Sequence, residues 1–300
     1  MRKCDGSVDA GVVLEGNLVL PSMPAAVQRL LQTIDGPRPT ATAVAQVLAA
    51  DAGLVAQALK IVNSAYYGLP QPIREIGHAV AYLGMAEIKR LALTVAVMDH
   101  LAPENAQEFQ RFWYHAFHTA LVSRQLARRH IRPVDTEELY VAALLHDVGK
   151  LVYMKLLPDR YGELLALCRA SSVTLLEAER QLGGPSHQEL GARLARQWGL
   201  PDSVARACSC HELPDLVALG EVADHPQDFA ICVSNLLSQL TLDALDDEQQ
   251  DEIAGQIRSD LGYDEEQFLA LACEAYQLEI EVEQFVRSLG VPACRDRRGG

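Results

Sequence analysis

Leu144-Leu145-His146-Asp147-Val148-Gly149-Lys150 is the stretch whose reading decides the fold of this chain. An aliphatic run from Val141 to Leu145 delivers a histidine and an aspartate side by side, then a glycine and a lysine. Imidazole nitrogen and carboxylate oxygen are both donors for a divalent metal. Adjacent residues on a helix point about 100° apart, so the pair suits one ion only at a helix end or bend. Gly149 is expected to supply that break, because glycine leaves the helix at little steric cost. Lys150 would place a cation beside the site, suited to an anionic group such as a phosphate. Alone, the dipeptide is more often a capped helix end than a metal site.

Histidines elsewhere change that reading. Upstream lies Phe112-Trp113-Tyr114-His115-Ala116-Phe117-His118; downstream come His187 and His211, each in or beside a predicted helix. Thr119 and Val122 follow His115 at i+4 and i+7, which puts His115 on an inward face. His118 is expected to pack or cap. His187 by itself reads as a first-turn residue after the cap Ser186.

His115 with His146-Asp147 resembles the HD superfamily of metal-dependent phosphohydrolases. Four more motifs make the likeness specific: Leu20-Pro21-Ser22-Met23-Pro24, Lys60-Ile61-Val62-Asn63-Ser64-Ala65-Tyr66-Tyr67-Gly68, Ala79-Val80-Ala81-Tyr82-Leu83-Gly84 and Trp198-Gly199-Leu200-Pro201. Together, over residues 14–240, they resemble the HDOD family, the HD-related output domains. The resemblance implies metal ligands at His115, His146 and Asp147, with Asp147 and Lys150 in catalytic positions. His187-Gln188-Glu189-Leu190-Gly191-Ala192 and Cys210-His211-Glu212 resemble segments that carry ligands in two-metal HD phosphodiesterases, which adds His187 and His211. The implied cofactor is a divalent metal: Fe, Mn, Zn, Ni or Mg.

Departures from the pattern bear on function. Within Ile231-Cys232-Val233-Ser234-Asn235-Leu236-Leu237, Asn235 stands where the superfamily closes its site with an aspartate. Cys210 replaces a histidine, and the Gly-Tyr-Pro signature of cyclic-dinucleotide phosphodiesterases is missing after His211. Many HDOD domains lack the His-Asp pair and are thought to act without catalysis. The resemblance therefore implies a signal-transduction output module that acts through a protein partner with little or no hydrolysis. The alternative is a phosphodiesterase-like metal-dependent phosphohydrolase, for which a nucleotide or cyclic dinucleotide is a candidate ligand.

Composition bounds the rest. The formal charge of −14 argues against nucleic acid, which needs a basic surface. Residues 241–300 hold 15 acidic against 5 basic side chains, so the acidity belongs to a C-terminal extension. Residues 43–60 have helix-turn-helix spacing, yet only Gln57 and Lys60 would serve a DNA-reading face. No apolar run approaches the ~18–20 residues of a membrane span. Seven cysteines without a framework of spacings, and no apolar stretch behind Arg2-Lys3, are expected of a cytoplasmic protein.

Helical periodicity runs throughout, without strand alternation of useful length. The expected architecture is all-α: an N-terminal helical bundle (14–105), an HD-like helical domain (106–240) and an acidic helical extension (241–294). Helices are expected to divide at Gly84, to resume after the central motif only at Val152, and to run unbroken from Glu265 to Leu289. Residues 1–13 and Arg295–Gly300 are expected to be loose.

Overall fold

Apolar residues at helical spacing between residues 25 and 62 fold into α1 (Ala25–Ile34), α2 (Ala41–Ala49) and α3 (Ala52–Val62). Thr40 caps α2 by accepting from the Ala43 amide, and Asp51 caps α3 by accepting from Leu54. α4 (Ile76–Leu101) bends at Gly84, whose φ of 81° is open to glycine, so the division falls where the sequence places it. In this computed structural model the described residues are 18–130, 135–212 and 226–291; the loose ends expected at 1–13 and 295–300 lie outside them.

α5 (Ala106–His130) is the spine of the next part, with Trp113, Phe117, Ala120 and Leu126 buried along it. Against it lies α6 (Thr136–Leu145), started by an Asp135 cap and buried at every position from Leu139 to Leu145. A helix apolar on all sides belongs in the interior. Then come α7 (Val148–Leu156), α8 (Pro158–Ser171), α9 (Leu175–Leu182), α10 (His187–Gln197), α11 (Asp202–Ser209) and α12 (Pro226–Leu242). The chain finishes with α13 (Asp247–Leu261), α14 (Glu265–Gln277) and α15 (Glu279–Ser288). Every described element is an α-helix, and one continuous apolar core runs from Leu20 to Val291.

Two expectations need correction. α7 begins at Val148, not Val152, and Gly149 lies inside its first turn. The break falls two residues earlier, at Asp147 (φ −100°, ψ 10°), which lies between the two helices as the N-cap of α7. The expected single helix from Glu265 is interrupted at Leu278, giving α14 and α15. Gln57, one of the two residues weighed for a DNA-reading face, donates its amide to Asp99 at 2.8 Å.

The acidic extension docks on its own chain. Phe268, Leu271 and Ala275 are buried, whereas Ala272 is half-buried and Tyr276 exposed, so only some of the apolar residues of α14 point inward. Phe285 stacks on Phe117 at 3.6 Å between ring centres, and Tyr66 packs edge-on against both rings. His118, fully buried, bridges Ser238 Oγ (2.8 Å) and the Ala275 carbonyl (2.9 Å), tying α5 to α12 and α14. No single described helix is long and apolar enough to cross a membrane.

Candidate metal centre

Six helix ends and faces deliver the site. α5 brings His115, the α6–α7 junction His146 and Asp147, α7 Lys150, α10 His187, the end of α11 His211 and α12 Asn235. The structure brings every one of these sequence-predicted residues into a single cluster. Two ligand sets share Asp147: His115-His146-Asp147, and Asp147-His187-His211, with donor atoms of each set within 4.8 Å of one another. His146, Asp147, His187 and His211 are buried; the His115 side chain is 15% exposed and that of Lys150 26%.

Glycine makes this convergence feasible. α7 and α10 meet backbone against backbone at Gly149 and Gly191. Serine fixes the other end: Ser186 forms a capping box with Glu189, so α10 starts at His187 and its first turn faces Asp147.

The far nitrogens of three imidazoles are held. His146 Nδ1 donates to the Ala143 carbonyl at 2.6 Å. His211 Nδ1 faces the carbonyls of Ala207 (3.2 Å) and Cys208 (3.1 Å). His187 Nδ1 faces both oxygens of Glu179 at 2.9 Å, and Glu179 also accepts the His187 amide at 3.0 Å. With Glu179 ionised, each ring carries its proton on Nδ1 and turns the Nε2 lone pair inward. His187 Nε2 and His211 Nε2 then stand 3.2 Å apart, and Asp147 Oδ1 lies 3.7 and 3.3 Å from them. That oxygen is buried without a hydrogen-bond partner. In that tautomer lone pairs face lone pairs around an orphaned carboxylate oxygen and repel unless a proton or a cation lies between them; two imidazole nitrogens and a carboxylate oxygen are a donor set that fits a metal.

Electrostatics agree. Burial pushes His115 down to about 3 against the pull of Asp147, and takes His211 well below the ordinary imidazole range. Both are neutral at pH 7, the form that ligates. Burial alone would raise Asp147, but Lys150 and the imidazoles hold it well below the usual carboxylate range. Lys150 Nζ donates to Asp147 Oδ2 at 2.6 Å, and that carboxylate raises the lysine against its burial. Burial lifts Glu179 to about 8, opposed by the His187 amide; a cation at His187 Nε2 would favour the ionised form.

Asn235 occupies the closing position in space as well as in sequence. Its Nδ2 donates to the His211 carbonyl at 3.3 Å, which turns Oδ1 inward, 2.9 Å from His115 Nε2. A neutral oxygen therefore stands beside the cluster. His118 lies one turn on and takes no part, as expected. The sequence reading missed Glu179, whose only signal was its place in Leu175–Leu182, eight residues before His187.

Fold and site together define an all-helical protein with a His–Asp cluster on the HD pattern. The family model of the HDOD domain matches residues 20–214, and the chain belongs to that family. A Geobacter sulfurreducens HDOD domain protein of unknown function shares the fold, at 24% identity and TM-score 0.71, over 93% of this chain and 96% of that one. A candidate phosphohydrolase from Shewanella amazonensis SB2B does so at 23% identity and TM-score 0.69, over 90% and 95%. An uncharacterised protein of Treponema pallidum (strain Nichols) is 22% identical over 88% of this chain; the chain spans 50% of that relative's length.

Proposed function

We propose that this chain is a regulatory module that holds one divalent metal and passes its state to a protein partner, with little or no phosphoester hydrolysis. Asn235 carries the reading. It leaves Asp147 as the single carboxylate of the cluster, against the positive charge of a divalent ion with Lys150 beside it. A second divalent ion would find no further carboxylate among the ligand side chains, since Glu179 is engaged with His187 Nδ1, and Glu212 and Asp243 act on Lys150 from outside the ligand sets. Lys150 also occupies Asp147 Oδ2, whereas Oδ1 is unpartnered. His187, His211 and Asp147 Oδ1 are therefore the expected ligands, and an imidazole-rich set suits Fe, Mn, Zn or Ni better than Mg.

A second reading, metal-dependent phosphohydrolase, is favoured by the partial exposure of His115 and Lys150, which opens one side of the cluster to solvent. A bound ion would supply Lewis acidity toward a phosphoryl oxygen and an acidified water. Lys150 would balance the charge of the phosphoryl group, and the Asn235 oxygen would orient His115.

Elemental analysis of protein purified without an affinity metal, paired with assays on bis(p-nitrophenyl) phosphate and cyclic dinucleotides, separates these readings. About one ion per chain, lost in Asp147→Ala, with no turnover supports the regulatory module. Turnover abolished by Asp147→Ala would replace it with the hydrolase, and protein that takes up no ion from excess would sink both.

A further inference from the structure

The extension presents two apolar faces, and only one is used. Phe268, Leu271, Ala275, Val282 and Phe285 are buried against the core. Leu269, Cys273, Tyr276 and Ile280 follow one another at i, i+4, i+7 and i+11, within an arc of about 60° on a helix. All four are exposed, Leu269 by 52%, Tyr276 by 56% and Ile280 by 68%. Leu278 keeps right-handed dihedrals (φ −72°, ψ −16°), so α15 follows α14 after an interruption of one residue, and Ile280 beyond it is exposed as Tyr276 is before it. Three of the exposed large apolar side chains among the described residues thus fall within twelve positions, where scattered single ones would be ordinary.

Charge indicates what covers the stripe. Residues 264–287 carry seven carboxylates against one cation, Arg287; with Arg258 and Arg129, which pair with Glu265 and Glu274 from outside the segment, the face keeps a balance of four negative charges. Glu265 and Glu283, ion-paired with Arg258 and Arg287, flank the stripe on one side and Glu266 lies on the other, by helical position. A second copy of this face would bring like charge against like, and an anionic membrane would be repelled. An apolar stripe edged with carboxylates complements a helix with an apolar seam and basic flanks.

We propose that α14 and α15 form the docking surface for a basic amphipathic helix of a partner protein, seated on Leu269, Tyr276 and Ile280. This rests on the reading that the chain acts through a protein partner, and it names the chemistry of that partner. The stripe lies outside the stretch matched by the family model, on helices that pack against α5 and α12.

The test uses the full chain and a fluorescent 18-residue peptide with leucine at i, i+4, i+7 and i+11 and lysine on its flanks. Controls are a scrambled peptide of the same composition and a leucine/glutamate version. Binding by the patterned peptide alone should weaken roughly tenfold or more in Leu269→Ser/Tyr276→Ser/Ile280→Ser, given the usual weight of central anchors. It should also weaken in Glu265→Gln/Glu266→Gln/Glu283→Gln and with rising salt. Circular dichroism confirms that both variants fold, since the altered side chains are exposed or on the rim. Equal binding of the scrambled peptide, or binding unmoved by both variants, would overturn the proposal. Self-association or uptake onto phosphatidylserine vesicles that the serine variant abolishes would overturn it too, assigning the stripe to a second copy or to a membrane. Repeating the titration in Asp147→Ala keeps the two readings apart: docking that persists there stands whatever the metal result.

Discussion

A Cβ on Gly149 would lie 1.8 Å from the carbonyl oxygen of His187. No side chain fits at that distance, and the atom in the way is backbone, which cannot rotate aside. The same hypothetical Cβ comes within 2.8 Å of the Gly191 amide nitrogen. The approach of α7 to α10, which sets His187 beside Asp147, therefore depends on the absence of one methyl group. Gly149→Ala is expected to force these helices apart, lowering stability by about 1–3 kcal/mol or more and abolishing metal uptake. Denaturant midpoints together with metal stoichiometry check this; a variant that binds metal like the wild type would refute it.

Asn235→Asp supplies the missing carboxylate. Metal affinity is expected to rise about tenfold or more, each factor of ten being about 1.4 kcal/mol. Without metal the variant should be less stable than the wild type, because a second buried carboxylate joins Asp147. Calorimetric titration with Mn and Zn, beside melting curves of the metal-free forms, reads both effects.

Glu179→Gln keeps an oxygen for His187 but removes the charge that steadies its Nδ1 proton. Metal affinity is expected to fall by about 10–100-fold, the usual consequence of losing such a partner. Unchanged far-ultraviolet dichroism with unchanged affinity would show that Glu179 serves only the helix start.

His118, one helical turn from His115 and outside the ligand sets, gives a pH dependence of its own. Burial pushes it down to about 4, with the Ala275 carbonyl pulling the other way. The unfolded chain, with histidine near 6.5, binds the proton first as pH falls. Stability from the neutral ring is thus complete above about pH 6.5 and declines toward pH 4, by about 2 kcal/mol between pH 7 and 5. His118→Gln should lose that share of the slope, measured as urea midpoints at the two pH values. Equal slopes in both proteins would count against it.

Phe285→Ala is expected to cost about 3–5 kcal/mol, the range for deleting a buried aromatic ring. The stacked Phe117 and the edge-on Tyr66 would line the resulting cavity. A loss below about 1 kcal/mol would mean the extension docks far more loosely than this packing implies.

Which of this was legible in the sequence follows from what each feature depends on. Helix number and spacing are local, and periodicity with caps such as Thr40, Asp51 and Ser186 places most of them. The cluster residues were legible because the family resemblance ties together His115, His146, Asp147, His187, His211 and Asn235 across 120 positions. Gly149 was misread as a helix breaker because its real constraint comes from the His187 backbone, which no local pattern reveals. Glu179 was invisible for a similar reason: its role is set by where α9 lands against α10. The interruption at Leu278 carries no glycine or proline to mark it.

The contact between Tyr66 and Glu281 joins residues 215 positions apart, and Phe285 lies on a ring at position 117. Such pairs close late, because long loops cost entropy before the contact repays it. On a ribosome adding roughly 5–20 residues per second, Phe117 would wait on the order of ten seconds for its lid. During that interval the nascent chain shows an aromatic surface that the finished molecule hides. The acidic extension is then also a timer, and chains stalled before α15 are the ones expected to need a chaperone.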